Sequence, residues 1–180
     1  MSEKIFHGDP ARLRSPERMA LLEVERVVAL SLADLEVRNA LDVGTGTAVF
    51  AEAFANLGID VTGIDLNPEM TEWATRHVPA ARFKVGEAEQ MPFPNGSFDL
   101  VFLGHVLHES EEPDRVLGEA KRVAKRRIVI LEWPYREEEQ GPPLEHRLAP
   151  ETIERLLREQ ELERFERVTL RHMVLYRAAI

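Results

Sequence analysis

Cysteine is absent from the chain, which excludes disulfides, thiolate metal sites and cysteine nucleophiles together. Long apolar runs are missing too: no stretch approaches the roughly 18 residues that a membrane helix needs. Positive charge is scarce, with Lys+Arg 23 against Asp+Glu 32 and a formal net charge of -9. A phosphate backbone selects a clustered basic face, so nucleic acid is not the expected partner. The one dense basic run, Lys121 to Arg127, falls at the end of a predicted helix, where cations offset exposed carbonyls. The opening MSEKIFHGDPAR is polar and unlike a signal peptide, so the cytoplasm is the expected location and no membrane partner is expected.

Hydrophobic residues make up 44% of the 180 positions and charged residues 31%, interspersed along the chain. That balance and length predict one globular domain. Ser15-Pro16-Glu17 reads as a helix start, with a hydroxyl to cap free amides and proline in the first turn, and the helix is predicted to run to about Leu32. A strand and helix rhythm follows. Strands are predicted at 39–43, 60–65, 82–88, 98–104 and 127–133, with helices from about Ala48 to Asn56, from Asn67-Pro68-Glu69, and over Glu111 to Lys125. Such alternation implies parallel strands joined by right-handed crossovers, with helices on both faces. After Trp133 comes a polar stretch containing Gly141-Pro142-Pro143, then a helix over about Pro150 to Glu161. FERVTL and HMVLYRA alternate with period two around a short turn near Arg171, predicting an antiparallel hairpin at the sheet edge. The expected class is α/β, a three-layer sandwich with a mostly parallel sheet and a C-terminal antiparallel hairpin.

The segment LDVGTGTAVFAEAF (41–54) places Gly44 and Gly46 in the turn between first strand and first helix, where glycine allows a ligand to approach backbone amides. Asp65 ends the second strand, where a carboxylate can accept both ribose hydroxyls of an adenosine ligand. The dinucleotide fingerprint requires a third small residue at the position of Val49, to bring helix and strand together under a pyrophosphate. The chain instead has Asp42 just before the turn, and an acid there suits a ligand with an ammonium group and no phosphate.

With these residues in place the chain resembles the class I methyltransferases, particularly the group that includes the ubiquinone and menaquinone biosynthesis enzymes. The resemblance rests on LDVGTGT, VTGIDLNPEM, VGEAEQMPFPNGSFDLVF and HVLHE in that order, from Leu41 to Trp133. It extends to a group of small bacterial and archaeal methyltransferases through Ser15-Pro16-Glu17-Arg18, Glu132-Trp133-Pro134 and Gly141 to Arg147. It implies a Rossmann-like fold and S-adenosylmethionine as cofactor, with Asp42, Gly44 and Gly46 around the methionine part and Asp65 on the ribose. Leu66 and Met70 are implied beside the adenine, with Glu87 and Ala88 at its edge. Where the family often has a third glycine this chain has Ala48, a helix former expected to tighten the pocket slightly. In these terms 1–38 is an N-terminal helical segment, 39–133 the cofactor-binding core, and 134–180 a substrate-side loop, helix and closing hairpin.

His105, His108 and Glu109 follow the fourth strand, at the edge where open α/β sheets bind ligands. His105 is expected to reach the sulfonium end of the cofactor, and His108 and Glu109 the acceptor pocket. Either histidine is a candidate general base, and the competing expectation is that they only order the loop. HVLHE matches no metalloprotease spacing, so no metal is expected. Glu132, Trp133, Tyr135, His146 and Arg147 follow the fifth strand and are candidates to line the acceptor pocket; a solvated connection is the alternative. The absence of cysteine argues against arsenic and cytosine-C5 acceptors, and a small molecule methylated at oxygen, carbon or nitrogen remains. A nicotinamide-dependent oxidoreductase and a non-catalytic cofactor-binding module stay open as alternatives. Oligomeric state and the acceptor's identity are left open.

Overall fold

The computed structural model describes residues 10–180; the polar N-terminal expectation therefore lies mostly outside the described residues. Seven strands form one sheet in the order β3-β2-β1-β4-β5-β7-β6. β1 (Asn39–Val43), β2 (Asp60–Asp65), β3 (Arg82–Val85), β4 (Phe98–Gly104) and β5 (Ala124–Glu132) are parallel, while β6 (Phe165–Thr169) and β7 (Val174–Ala179) pair antiparallel, with β7 against β5. The helices are α1 (Pro16–Leu22), α2 (Val24–Leu32), α3 (Val49–Ala55), α4 (Pro68–His77), α5 (Pro113–Val123) and α6 (Pro150–Glu159).

Side chains alternate across a strand, so each central strand feeds two cores. Val101 and Leu103 of β4 and Ile128 and Ile130 of β5 pack with Val116, Leu117 and Ala120 of α5 and Ile153 and Leu157 of α6. Their alternate neighbours Leu100, Phe102, Val129 and Leu131 pack with Val27 and Val28 of α2 and Phe50 and Phe54 of α3. This is the expected three-layer α/β sandwich. The reversal of strand order between β1 and β4 opens the ligand-binding edge at the strands' C-terminal ends. Among the described residues no helix is long and apolar enough to cross a membrane.

Several predicted boundaries shift. The expected helix over 15–32 starts as predicted, with Ser15 Oγ accepting from the Arg18 amide at 3.3 Å, but breaks at Glu23, which adopts φ 46° and ψ 43°. The Glu23 carboxylate accepts from the amide of His172, in the turn between β6 and β7, at 3.1 Å. β3 stops at Val85 instead of running to 88, because the chain turns back on itself between Glu87 and Gln90. Ala48 lies before α3, not within it, at φ 59° and ψ 34°; its helix propensity therefore has no bearing, and an L-residue sits where glycine is favoured.

The basic run also differs from expectation. α5 ends at Val123, so Lys125, Arg126 and Arg127 belong to β5. Arg127 alone of the three still caps a helix end, but a different one: its Nη1 donates to the carbonyls of Ser31, in the last turn of α2, and of Ala33, just after it, at 2.9 and 2.7 Å. Lys121 donates to the Gln160 carbonyl at the end of α6, at 2.6 Å.

Candidate cofactor and acceptor site

Asp42 ends near the top of β1 and is buried. Thr45 Oγ1 donates to its Oδ2 at 2.6 Å. Burial pushes the Asp42 carboxyl up to about 7, against the opposing effect of the Thr45 hydrogen bond. Gly44 follows at φ +64°, where an added Cβ would stand 2.7 Å from Val106 Cγ2, so turn geometry and close packing both require glycine. Gly46, at φ +51°, has only Leu13 Cδ1 near its missing Cβ, at 4.0 Å. Its amide donates to Asp65 Oδ2 at 2.8 Å, and the Asn67 amide to Oδ1 at 2.9 Å. Asp65 thereby ties the end of β2 to the glycine turn, and burial raises its pKa despite these two bonds.

Beside Asp65 the apolar side chains Leu66 and Val85 stand half exposed, at 49% and 50%, and Asp65 pairs with Val85 in the sheet register. An apolar group left in water at the ligand edge is the kind of surface a base covers. Sequence reasoning named Leu66 and not Val85, because a strand expected to run over 82–88 put Val85 in its middle rather than at its end. Met70 is buried within α4; Glu87 is exposed and Ala88 half-buried in the loop after β3.

On the other side of the switch point the chain leaves β4 through His105, which holds φ 62°. Its amide donates to the Leu131 carbonyl at 2.8 Å, and its ring lies 5.2 Å from that of Trp133 and 6.2 Å from that of His108. Both ring nitrogens are buried with no hydrogen-bond partner among the described residues. Burial, and then the charges of Arg18 and His108, pull its pKa down to about 3. His105 is therefore neutral at ordinary pH and too weak a base to take a proton, and its strained backbone holds an unsatisfied polar ring at the site.

His108 is different. Its Nδ1 lies 2.6 Å from Glu132 Oε2, while Glu132 Oε1 accepts from the amides of Leu107 and His108 at 3.0 and 3.3 Å. Burial opposes the charged imidazole, but the hydrogen bond and charge of Glu132 outweigh it and raise the His108 pKa. With Nδ1 directed to Glu132, Nε2 is left for the pocket, 3.9 Å from Glu109 Oε1.

This alters the expected role of Glu132. Instead of being open to line a pocket, its carboxylate is buried behind His108, with both oxygens engaged by that ring and the amides of Leu107 and His108. Arg147 is also reassigned. Its buried guanidinium donates to the carbonyls of Pro142, Pro134, Arg136 and Gln140 at 2.7 to 3.0 Å and lies 5.6 Å from the Trp133 ring. It organises the loop after β5 from inside, because four of its five N–H donors are used by main chain. Trp133 is buried under that loop, while Tyr135 and His146 are exposed on it.

His105, His108 and Glu132 each offer a donor atom, all within 4.8 Å of one another, and are the group of metal-ligating type among the described residues. The HVLHE spacing could not reveal it, since its third member arrives from β5.

Comparison with known proteins bears on this arrangement. A family model described as a methyltransferase domain matches residues 41–130. The demethylmenaquinone methyltransferase of Renibacterium salmoninarum is 31% identical over 112 residues, 61% of this chain and 47% of that protein. That of Thermotoga maritima is 35% identical over 112 residues, 60% of this chain and 48% of its own length. The chain spans about half the length of these curated relatives. A structure of a SAM dependent methyltransferase from Aquifex aeolicus superposes with a TM-score of 0.83 at 25% identity, covering 96% of this chain and 99% of that one. Magnesium protoporphyrin IX methyltransferase from Synechocystis, with bound SAH, gives a TM-score of 0.72 at 18% identity, over 89% of this chain and 83% of that one, a likeness of fold alone. The nicotinamide-dependent alternative finds no support among these relatives.

Proposed function

The chain belongs to the methyltransferase family whose domain covers residues 41–130, and from that premise we propose that it transfers a methyl group from S-adenosylmethionine to a small-molecule acceptor. The observation that carries this reading is the buried Asp42 carboxyl beside the Gly44–Gly46 turn. A carboxyl that burial pushes to about 7 gains a partner from an ammonium group and would repel a pyrophosphate. Asp65 keeps lone pairs for ribose hydroxyls beyond the two amides it accepts, and Leu66 and Val85 supply an apolar edge for the base. The net charge of -9 supports a small acceptor over nucleic acid.

The bound cofactor supplies a methyl group on a positively charged sulfur. What the protein contributes is position, dryness and proton handling. His108 takes the acceptor's proton at Nε2, while Glu132 fixes the tautomer through Nδ1 and stabilises the imidazolium that forms. His105, neutral and unpartnered, orients a polar ligand atom by hydrogen bonding and is not the base.

Calorimetry with S-adenosylhomocysteine and NAD on the wild type and on Asp65→Ala tests the reading. The wild type is expected to bind S-adenosylhomocysteine and not NAD, with Asp65→Ala weaker by about 1.5 to 3 kcal/mol, the scale of charge-assisted hydrogen bonds. A preference for NAD, or unchanged affinity in Asp65→Ala, overturns it.

A further inference from the structure

The segment before α1, a 3-10 turn over Pro10–Arg14, has no buried residue, so burial contributes little to holding it in place. Its last residue fastens it instead. Arg14 Nε and Nη2 both donate to the Thr47 carbonyl, at 3.0 and 2.7 Å, and Nη1 donates to Glu52 Oε2 at 2.7 Å. Thr47 directly follows Gly46, and Glu52 lies in the first turn of α3. The guanidinium also stands 5.2 Å from the ring of Trp73, in α4. Arg14 thereby joins the segment to the helices that follow β1 and β2, and its planar fork serves a carbonyl and a carboxylate together, as the single centre of a lysine does not.

Leu13 fixes where the segment lies. Its Cδ1 is the nearest group to the position that a Cβ on Gly46 would take, at 4.0 Å. Gly46 is half-buried, while Gly44, two residues earlier, is exposed. The Gly46 amide is the one that donates to Asp65 Oδ2 at 2.8 Å, so the segment crosses the joint between the glycine turn and the carboxylate read as the ribose site. We infer that Pro10–Arg14 is a strap over the cofactor turn, and that Arg14 is the positioning residue whose latch governs how fast S-adenosylmethionine enters and its product leaves. The fastening suits a part that opens in every turnover. Charge-assisted bonds close it, yet the Arg14 and Glu52 side chains keep 23% and 37% of their surface exposed, so water replaces their bond when the strap lifts. Methyl transfer needs a dry site and the product must then depart, and a strap that closes and opens meets both needs. This inference rests on the methyltransferase reading of the site.

The test is the exchange of S-adenosylhomocysteine on the intact chain, in the wild type, Arg14→Ala, Arg14→Lys and Glu52→Gln. Association and dissociation rates come from stopped-flow tryptophan emission, for which Trp73 stands beside the latch, and Kd comes from calorimetry. In Arg14→Ala both rates should rise by about fivefold or more, the scale of part-exposed charge-assisted bonds, so that Kd changes less than either rate. Arg14→Lys should fall between Arg14→Ala and the wild type. Glu52→Gln, which keeps both bonds to the Thr47 carbonyl, should quicken exchange less than Arg14→Ala does. A contact that only supports the fold would lower the melting temperature and leave both rates unchanged. Rates in Arg14→Ala equal to those of the wild type overturn the inference whatever the melting temperature does. Faster dissociation with unchanged association also overturns it, because Arg14 would then act on ligand affinity and not on access. Should Arg14→Ala fail to fold, Arg14→Lys and Glu52→Gln are held to the same criterion. A wild type that does not bind S-adenosylhomocysteine strikes the methyltransferase reading and this inference with it, whereas binding at rates indifferent to the latch strikes the strap alone.

Discussion

The two halves of the ligand edge are built in opposite ways. On the β1–β2 side, polar groups are satisfied by neighbours close at hand: Thr45 bonds Asp42 three residues away, and Asp65 accepts from Asn67 and from the glycine turn. On the β4–β5 side, His105 has no partner among the described residues, and His108 depends on a carboxylate 24 residues distant. The first half is a main-chain cradle complete before any ligand arrives. The second is a set of side chains whose bonding is completed by whatever enters. A common cofactor fits the first arrangement and a particular acceptor the second, since polar groups left unpaired reject ligands that fail to pair them.

The largest expected effect lies in the acceptor half. His108→Gln should lower kcat by about 10²-fold or more, the usual contribution of a general base, with S-adenosylhomocysteine affinity intact. Because Glu132 raises the His108 pKa above 6.5, wild-type activity should rise with pH along a limb centred above 6.5. Glu132→Gln should move that limb to lower pH, and His105→Gln should leave it in place because His105 titrates near 3. A limb lost in His105→Gln and kept in His108→Gln, measured as kcat against pH, would exchange the roles of the two rings. The same shift affects stability: a His pKa raised in the folded state contributes stability present below 6.5 and lost as pH rises through the folded value.

The next effect belongs to the cofactor half. With Asp42 titrating at about 7 in the free protein and held ionised by an ammonium in the complex, binding below that pH must release a proton. Affinity for S-adenosylhomocysteine should therefore fall by about tenfold from pH 8 to pH 6, by proton linkage. Calorimetry in buffers of different ionisation enthalpy would show the released proton, and Asp42→Asn should abolish both the release and the pH dependence. Affinity constant over that range would place the ammonium elsewhere. For the free fold the sign is opposite, because a raised carboxyl pKa makes burial of Asp42 more costly as pH rises from 3.8 to about 7.

The smallest effect tests whether the cradle is rigid by strain or by packing. Ala48 sits at φ 59°. Ala48→Gly should relieve about 1 to 2 kcal/mol of left-handed strain while losing about 0.5 to 1 kcal/mol to the entropy of a freer unfolded chain. Urea unfolding should then show a net gain of about 1 kcal/mol or less. A loss of stability would mean that the buried Ala48 methyl contributes more by packing than its backbone costs.

The arrangement of the β1–β2 half was legible because its information is local. Asp42, Gly44 and Gly46 lie on one strand and turn, Asp65 ends the next strand, and the alternation of apolar runs already required parallel strands with helices on both faces. Ser15 caps its helix as its place before Pro16-Glu17 suggested, and α4 opens after Asn67 where a helix start was expected. The break at Glu23 coincides with a hydrogen bond from its carboxylate to an amide 149 residues away, and no periodicity within α1 and α2 could announce it. Arg147 and Glu132 looked like charges offered to a ligand, since polar residues after a strand read alike whether they face the pocket or the chain behind it.

The amino acids alone announced an α/β fold and a glycine turn flanked by two acids, and with them the expectation of a cationic, phosphate-free ligand, because each follows from residues adjacent in the chain or one strand apart. Only the tertiary structure decided which histidine is neutral and which carboxylate steers the other. Those properties are set by desolvation and by contacts between distant segments, which exist only once the chain has closed around them.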